Sequence, residues 1–390
     1  MTFASPSSGL HDEAPVFFLP YFCHTIFMLH IALEAERANL AKKTGVEHYA
    51  KELLQELALI DHENKYTVML RTEPQPWFLK LPKNFALKIM PFPKFWTQIR
   101  LSWEFLQHSY DRLLIPASAL PIFHPRKSVV VIHDTAWRYY PQSFTFFMRW
   151  YLELSTRFVG RFAWRLIAVS EATRQDLVNL FHINPEKVVT VYHGYTPQPE
   201  VPHTLSPELA AKLPEQYVLF LSTIQPRKNL VGLIAAFADL KKRRPDLPHR
   251  LVVVGKPGWR YEESMVAIQA HPEFVVYLNH VSNEDRAEIY KKASGFCVPS
   301  FYEGFGMWIL EAYDAGVPVL VSNVSSLPEI GGESCLYCDP HSMSNISQQL
   351  ERLLTDEPLR QQLIAGGKQR VHDFSWRRCA TETLAVLQSK

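Results

Sequence analysis

The sequence runs to 390 residues, and at roughly 150 residues per domain that length predicts about two to three domains. Hydrophobic residues make up 47% and charged residues 21%, enough apolar material for packed cores, so intrinsic disorder and a coiled coil are both excluded. Lys and Arg total 41 against 39 Asp and Glu, which excludes a nucleic-acid binder working by bulk charge; any basic surface must be local.

Residues 14–33 carry no formally charged side chain and are about as long as a membrane-spanning helix. Pro15, Pro20, His24 and His30 interrupt the stretch, and no Lys or Arg precedes it as a signal peptide requires. It divides better into an extension over residues 1–27 and a first buried strand, Leu29–Leu33. Met28, directly before that strand, is then a candidate translation start. Lys51–Ile60 places apolar residues at 53, 54, 57, 59 and 60, a helical face, and Tyr66–Leu70 is a strand. Strand–helix–strand is the unit of a parallel sheet, and the pattern returns at Ser128–Ile132 before His133-Asp134 and at Arg165–Val169 before Ser170-Glu171. Polar residues directly after such runs stand at the carboxyl end of a strand, where open α/β sheets place ligands.

Between Glu73 and Glu104 there is no acid, while Lys80, Lys83, Lys88, Lys94 and Arg100 alternate with seven aromatic residues from Trp77 to Trp103. Two readings stay open for this 76–103 segment. It is either a surface for anionic lipid or a lipid-linked acceptor, or a packed aromatic stretch with solvated lysines. Five prolines between Thr196 and Pro214 predict a semi-rigid linker. Beyond it a second series of apolar runs begins at Tyr217–Leu221, Arg250–Val254, Phe274–Tyr277, Gly295–Val298 and Val317–Val321. The domain plan is thus an extension at 1–27, one α/β half at 28–198, a linker at 199–214, a second α/β half at 215–372 and a final helical segment at 373–390. Ligands of such proteins sit in the cleft between halves.

Two clusters carry chemistry. After the Gly295–Val298 run comes a loop from Ser300 to Gly306, then a helix to about Ala315, closed by Gly316. Glu303 lies in the loop and Glu311 inside the helix. Gly304 and Gly306 let backbone N–H groups approach a ligand, and the helix start favours an anion. Carboxylates for sugar hydroxyls beside a phosphate-friendly helix start suit a sugar nucleotide. The second cluster is Arg227-Lys228, after the Tyr217–Leu221 strand. A departing nucleoside diphosphate needs a metal or fixed cations to stabilise its charge. The chain holds no Asp-x-Asp, so Arg227 and Lys228 are the expected source of that charge, with no metal and no cofactor. Cys335 and Cys338 have the spacing of half a zinc site, but no second pair follows, and they read as structural. Five cysteines without a disulfide framework fit a reducing, cytoplasmic setting.

Together these residues resemble a family-4, group 1 glycosyltransferase of the two-domain GT-B fold. Glu303 to Glu311 resembles the family's E-x7-E element, and Arg227-Lys228, His133-Asp134 and Ser170-Glu171 resemble its other landmarks. Thr44-Gly45-Val46 and Ser325-Ser-Leu-Pro-Glu-Ile330 fit as well. The resemblance implies an α/β fold of two Rossmann-like α/β/α domains, parallel sheets facing a central cleft, with the final helix bracing the N-terminal domain. It implies Glu311 on the donor ribose, Arg227 and Lys228 on the diphosphate, and Glu303 on sugar hydroxyls. Gly304, Phe305 and Gly306 would line the sugar pocket, His133 would face the transferred sugar, and Gly45 would lie near the phosphates. Asp134, Ser170, Glu171 and Val281 are secondary candidates. The implied activity is retaining transfer of a hexose, mannose as first choice, from a nucleotide sugar to a glycan or lipid-linked acceptor of cell-surface polysaccharide. That activity implies a cytoplasmic protein, with peripheral contact to the inner membrane face through the 76–103 segment as its extension. A sugar-nucleotide epimerase and an inactive nucleotide-sugar-binding scaffold are the alternatives. Met307-Trp308, where the family has Leu-Pro, and Asn279-His-Val281 depart from the pattern.

Overall fold

The computed structural model describes residues 28–41, 45–197 and 203–390, so the expected extension at 1–27 and Thr44 lie outside the described residues. The first half is a sheet of seven parallel strands: β1 (His30–Glu34), β2 (Lys65–Leu70), β3 (Phe85–Ile89), β4 (Arg112–Ile115), β5 (Ser128–Ile132), β6 (Arg165–Ala168) and β7 (Val188–Thr190), in the order β3-β2-β1-β4-β5-β6-β7. The second half has six: β8 (Tyr217–Leu221), β9 (Arg250–Val254), β10 (Val275–Leu278), β11 (Gly295–Val298), β12 (Val319–Ser322) and β13 (Cys335–Cys338), in the order β10-β9-β8-β11-β12-β13. The central strands are unbroken apolar runs, such as Val129–Ile132 and Leu251–Val254, because helices cover both faces. In each sheet the chain first runs outward to one edge, then returns to start again on the other side. The reversal falls between β1 and β4 and between β8 and β11, the switch points outside whose strand ends open α/β sheets place ligands.

Helix Gly45–Ile60 buries Tyr49, Ala50, Leu53, Leu54 and Leu57, one stripe of its surface. The last helix, Trp376–Gln388, starts at Ser375, whose side chain accepts the Arg378 N–H at 3.1 Å. It returns to the first half: the Trp376 ring lies 5.8 Å from that of Tyr49, and the Arg112 guanidinium on β4 donates to the Leu387 carbonyl at 2.7 Å.

The proline-rich stretch holds more structure than a linker. Pro207–Lys212 is a short helix, with Ser206 accepting the Leu209 N–H at 3.3 Å. Pro207 occupies its first turn, where the missing N–H has no partner to lose. In the basic-aromatic segment, Phe78, Phe85 and Trp96 are buried while Phe95 and Trp103 are exposed. Its charge is partly answered by the acid that directly follows it. Buried Glu104 takes Lys88, Arg100 at 3.4 Å and His108 at 3.0 Å. Among the described residues no helix is long and apolar enough to cross a membrane.

Candidate active site

Because β8 and β11 are neighbours, the loops that follow them meet, although they are about 75 residues apart in sequence. The Phe301 N–H donates to the Arg227 carbonyl at 2.9 Å and ties the two loops together. Glu303 then lies between two cations. Arg227 Nη1 is 3.0 Å from its Oε2 and Lys228 Nζ is 2.5 Å from its Oε1. Ser300 Oγ donates to Oε1 at 2.7 Å, and the Glu303 N–H donates to Ser325 Oγ at 2.9 Å. Arg227 also donates to the Tyr302 carbonyl. Burial by itself raises the Glu303 carboxyl, but the Arg227 and Lys228 charges, with hydrogen bonds from Lys228 and Ser300, hold it down to about 2. Burial lowers the Lys228 ammonium to about 8 despite the attraction of Glu303. The cluster is therefore a buried carboxylate clamped by two cations, at the position where an open parallel sheet binds its ligand.

Helix Met307–Asp314 leaves Gly306, whose φ of +99° suits glycine, and Gly316 at φ +70° follows its end. Glu311, in the second turn, accepts from Tyr290 Oη at 3.0 Å and pairs with Arg286 Nη1 at 3.3 Å. Trp308 is buried, its ring 5.4 Å from Phe296, with Lys228 Nζ 6.0 Å from its centroid. It fills the core beneath the cation cluster. Val281 is half-buried ahead of helix Asn283–Lys291, which supplies Arg286 and Tyr290.

His133 stands just past β5, from the other half. Its Nε2 lies 2.8 Å from the Pro116 carbonyl, which can only accept, so Nε2 carries the proton and Nδ1 is left as an acceptor. Burial lowers its pKa, so the ring is neutral at pH 7. The Tyr49 and His193 rings flank it at 4.9 and 5.5 Å. The two halves touch at this point. A Cβ on Gly304 would stand 2.0 Å from the His133 carbonyl oxygen and 2.7 Å from Asp134 Cβ. Only glycine permits that approach. Asp134 accepts the Ala136 N–H at 3.2 Å, and Ser170 Oγ donates to the Gly304 carbonyl at 2.7 Å. Glu171 is occupied with Arg174 and Thr190, at 3.0 and 2.9 Å. Phe305 is buried and stacks on His193 at 4.5 Å. Gly45 opens its helix at the surface, with no atom within 4 Å of where a Cβ would be.

The fold thus joins Arg227, Lys228 and Glu303 directly and brings the Gly304 backbone against His133. Glu311 has its own partners in Arg286 and Tyr290. Other residues at the seam are not legible in the sequence. Asp176 accepts from Thr135, Tyr139 and Tyr302 at 2.6, 2.6 and 2.7 Å. Glu329 accepts the N–H groups of Glu171 and Ala172 at 2.8 and 3.0 Å, capping helix Glu171–Phe181 from across the seam. Asp176 lies on an ordinary polar helix face and carries no local signature. Glu329 belongs to the Ser325–Ile330 motif, but nothing in its spacing names its partner. Among the described residues no group of three or more His, Cys, Asp or Glu is arranged to hold a metal ion, and Cys335 and Cys338 are buried on β13.

Two family models match, one on each half: "Glycosyltransferase Family 4" over residues 43–198 and "Glycosyl transferases group 1" over residues 203–370. Among curated relatives, the O-antigen chain mannosyltransferase B of Escherichia coli is 33% identical over 228 residues, 56% of this chain and 59% of that protein's length. The chain thus spans less than two thirds of that relative. Among solved structures, WaaG, a glycosyltransferase involved in lipopolysaccharide biosynthesis, superposes with a TM-score of 0.67 at 17% identity, over 92% of this chain and 100% of that one. Anabaena HepE in complex with UDP-glucose gives 0.64 at 17% identity, over 92% and 99%. These likenesses fix the architecture as GT-B. With a matching model on each half, the chain belongs to the family-4, group 1 glycosyltransferases.

Proposed function

We propose that the chain transfers a hexose, mannose first, from a nucleotide-diphosphate sugar to a glycan or lipid-linked acceptor of a cell-surface polysaccharide. Retention of anomeric configuration and independence of metal are part of this reading. The observation that carries it is the Arg227–Glu303–Lys228 cluster at the crevice of the second sheet, with Gly304 pressed on His133. Mannose comes first because the E. coli relative is named a mannosyltransferase.

In this mechanism Arg227 and Lys228 receive the diphosphate, and Glu303, released from them, accepts hydrogen bonds from donor sugar hydroxyls. Glu311 takes the ribose. The bond from the sugar's anomeric carbon to the phosphate oxygen breaks while the acceptor oxygen bonds to the same face. The acceptor's proton passes to the departing phosphate, whose growing charge the two cations stabilise. His133, neutral and with Nδ1 as acceptor, holds a sugar hydroxyl in place. Because burial lowers the Lys228 ammonium to about 8, diphosphate affinity falls as pH rises through that value.

The test is calorimetric titration of GDP-mannose, UDP-glucose and related donors with EDTA present throughout, followed by product stereochemistry. Tight, selective binding of GDP-mannose under chelation supports the assignment. Binding that requires added metal removes the metal-free part, and donor turnover without an acceptor favours the epimerase.

A further inference from the structure

Helix Phe146–Phe162 is unusual in how little of it is buried: Thr156 and Val159 are its buried residues. Opposite them, Phe147, Trp150, Tyr151 and Leu154 recur at i, i+3, i+4 and i+7, a single stripe, and are 83%, 62%, 50% and 46% exposed. An apolar stripe normally faces a core. This one faces away from the protein. Scattered apolar residues on a surface mean little, but a contiguous patch marks an interaction site.

The patch extends beyond the helix. Ser155 Oγ donates to the Ser118 carbonyl at 2.9 Å, Gln98 Nε2 to the Leu120 carbonyl at 3.1 Å, and the Phe123 N–H to Ser102 Oγ at 3.2 Å. These bonds set the helix beside the 118–123 loop, and that loop beside residues 96–107. Each neighbour adds exposed apolar groups, Phe123 from the loop and Ile99 and Trp103 from the other. The exposed residues of the basic-aromatic segment are therefore the outer part of a larger face whose centre is the helix.

Charge selects the occupant. Arg149, Arg157 and Arg161 are exposed on the helix, and Glu153 is its only acid. Glu153 is already engaged by Arg157 at 2.8 Å and Arg138 at 3.6 Å. A second copy related by two-fold symmetry would set this face against itself and bring arginines to arginines. An anionic bilayer takes both features, with Phe147, Trp150 and Tyr151 at the headgroup boundary and the arginines on lipid phosphates.

We infer that helix Phe146–Phe162 is a monotopic membrane contact that lies in the interface of an anionic bilayer. The assignment stands on this surface alone and holds whichever sugar the chain transfers. The test is flotation of the full chain with vesicles of phosphatidylcholine, with and without phosphatidylglycerol. Two variants accompany it, Phe147→Ser/Trp150→Ser and Arg157→Gln/Arg161→Gln. Since these side chains face water, far-UV circular dichroism should be unchanged. The wild-type chain should float with anionic vesicles only. At a factor of about five for each basic residue at an anionic surface, the arginine pair should weaken partition about 25-fold. The aromatic pair should abolish flotation. Failure of the wild-type chain to float overturns the assignment, as does flotation unaffected by both variants. A concentration-dependent dimer dissolved by the aromatic variant, with no vesicle binding, gives the face to a second copy and overturns it equally.

Discussion

Replacing Glu303 by Gln removes one buried negative charge from between two cations and leaves the side chain's shape nearly intact. Unit charges about 4 Å apart attract by roughly 4 kcal/mol at an effective dielectric of about 20, and stripping one partner from a buried ion pair costs about 3–5 kcal/mol. We expect a loss of that size in urea denaturation near neutral pH. The loss has a pH signature. Lys228, already lowered to about 8 by burial, loses the largest of the interactions that favour its charge and keeps only the weaker pull of Asp134, while Arg227 stays beside it. In the variant it gives up its proton at lower pH, so between that point and about 8 the variant alone binds fewer protons than its unfolded chain. Its stability then rises with pH while that of the wild type does not, and the gap narrows as pH rises toward about 8. At a pH low enough for Lys228 to keep its proton, the freed cations should also bind nucleoside diphosphate about tenfold tighter or more by calorimetry, a gain of about 1.4 kcal/mol, while sugar transfer is lost. A constant stability loss across this range, with no tighter diphosphate binding, would refute the picture of Glu303 as the holder of the two cations.

Gly304→Ala puts a methyl 2.0 Å from the His133 carbonyl oxygen, so the halves must part. A displacement of about 1 Å at a reacting centre can cost about 100-fold, and we expect kcat to fall by that order with donor Kd kept. Glu311→Ala should weaken nucleotide binding, whereas His133→Ala should slow transfer at nearly constant donor affinity; equal loss of both in the two variants contradicts the separate roles of these residues. Glu34, buried at the end of β1, has its carboxyl raised to about 7 by burial, above the usual 4.5. The folded chain therefore holds that proton longer than the unfolded chain, and stability from this group falls as pH rises from about 4.5 through 7. Glu34→Gln should be more stable than the wild type at pH 8 by up to about 3 kcal/mol, and little different at pH 4, by urea denaturation.

What is local and periodic in this fold is legible in the sequence. Strands β5, β8, β9 and β11 are readable because each is an apolar run bounded by polar residues. Edge strands are not: β3 reads Phe-Ala-Leu-Lys-Ile with part of its surface in water, and β7 has three residues. Pro207–Lys212 is hidden because a proline-rich run reads as a spacer even when one of its prolines opens a helix. In the site, Arg227-Lys228 and Glu303 are each found from the strand end they follow. That Glu303 touches both cations depends on β8 and β11 being neighbours, which sheet order decides and sequence spacing does not. Arg286 and Tyr290 escape notice for the same reason. They sit on a strongly polar helix that resembles any solvated one until Glu311 is packed beside it.

The return of helix Trp376–Gln388 to the first half constrains the order of folding during synthesis. The Arg112–Leu387 hydrogen bond closes a loop of 275 residues, so the strand that emerges early waits for nearly the whole chain. The second half, whose sheet is continuous in sequence from Tyr217 to Cys338, can assemble while the first still lacks its last helix. Until then Tyr49 keeps an unfilled side, and a chain stopped short of residue 376 exposes apolar surface on the half that carries His133. A nascent chain released early would be a client for chaperones, although its second half is complete.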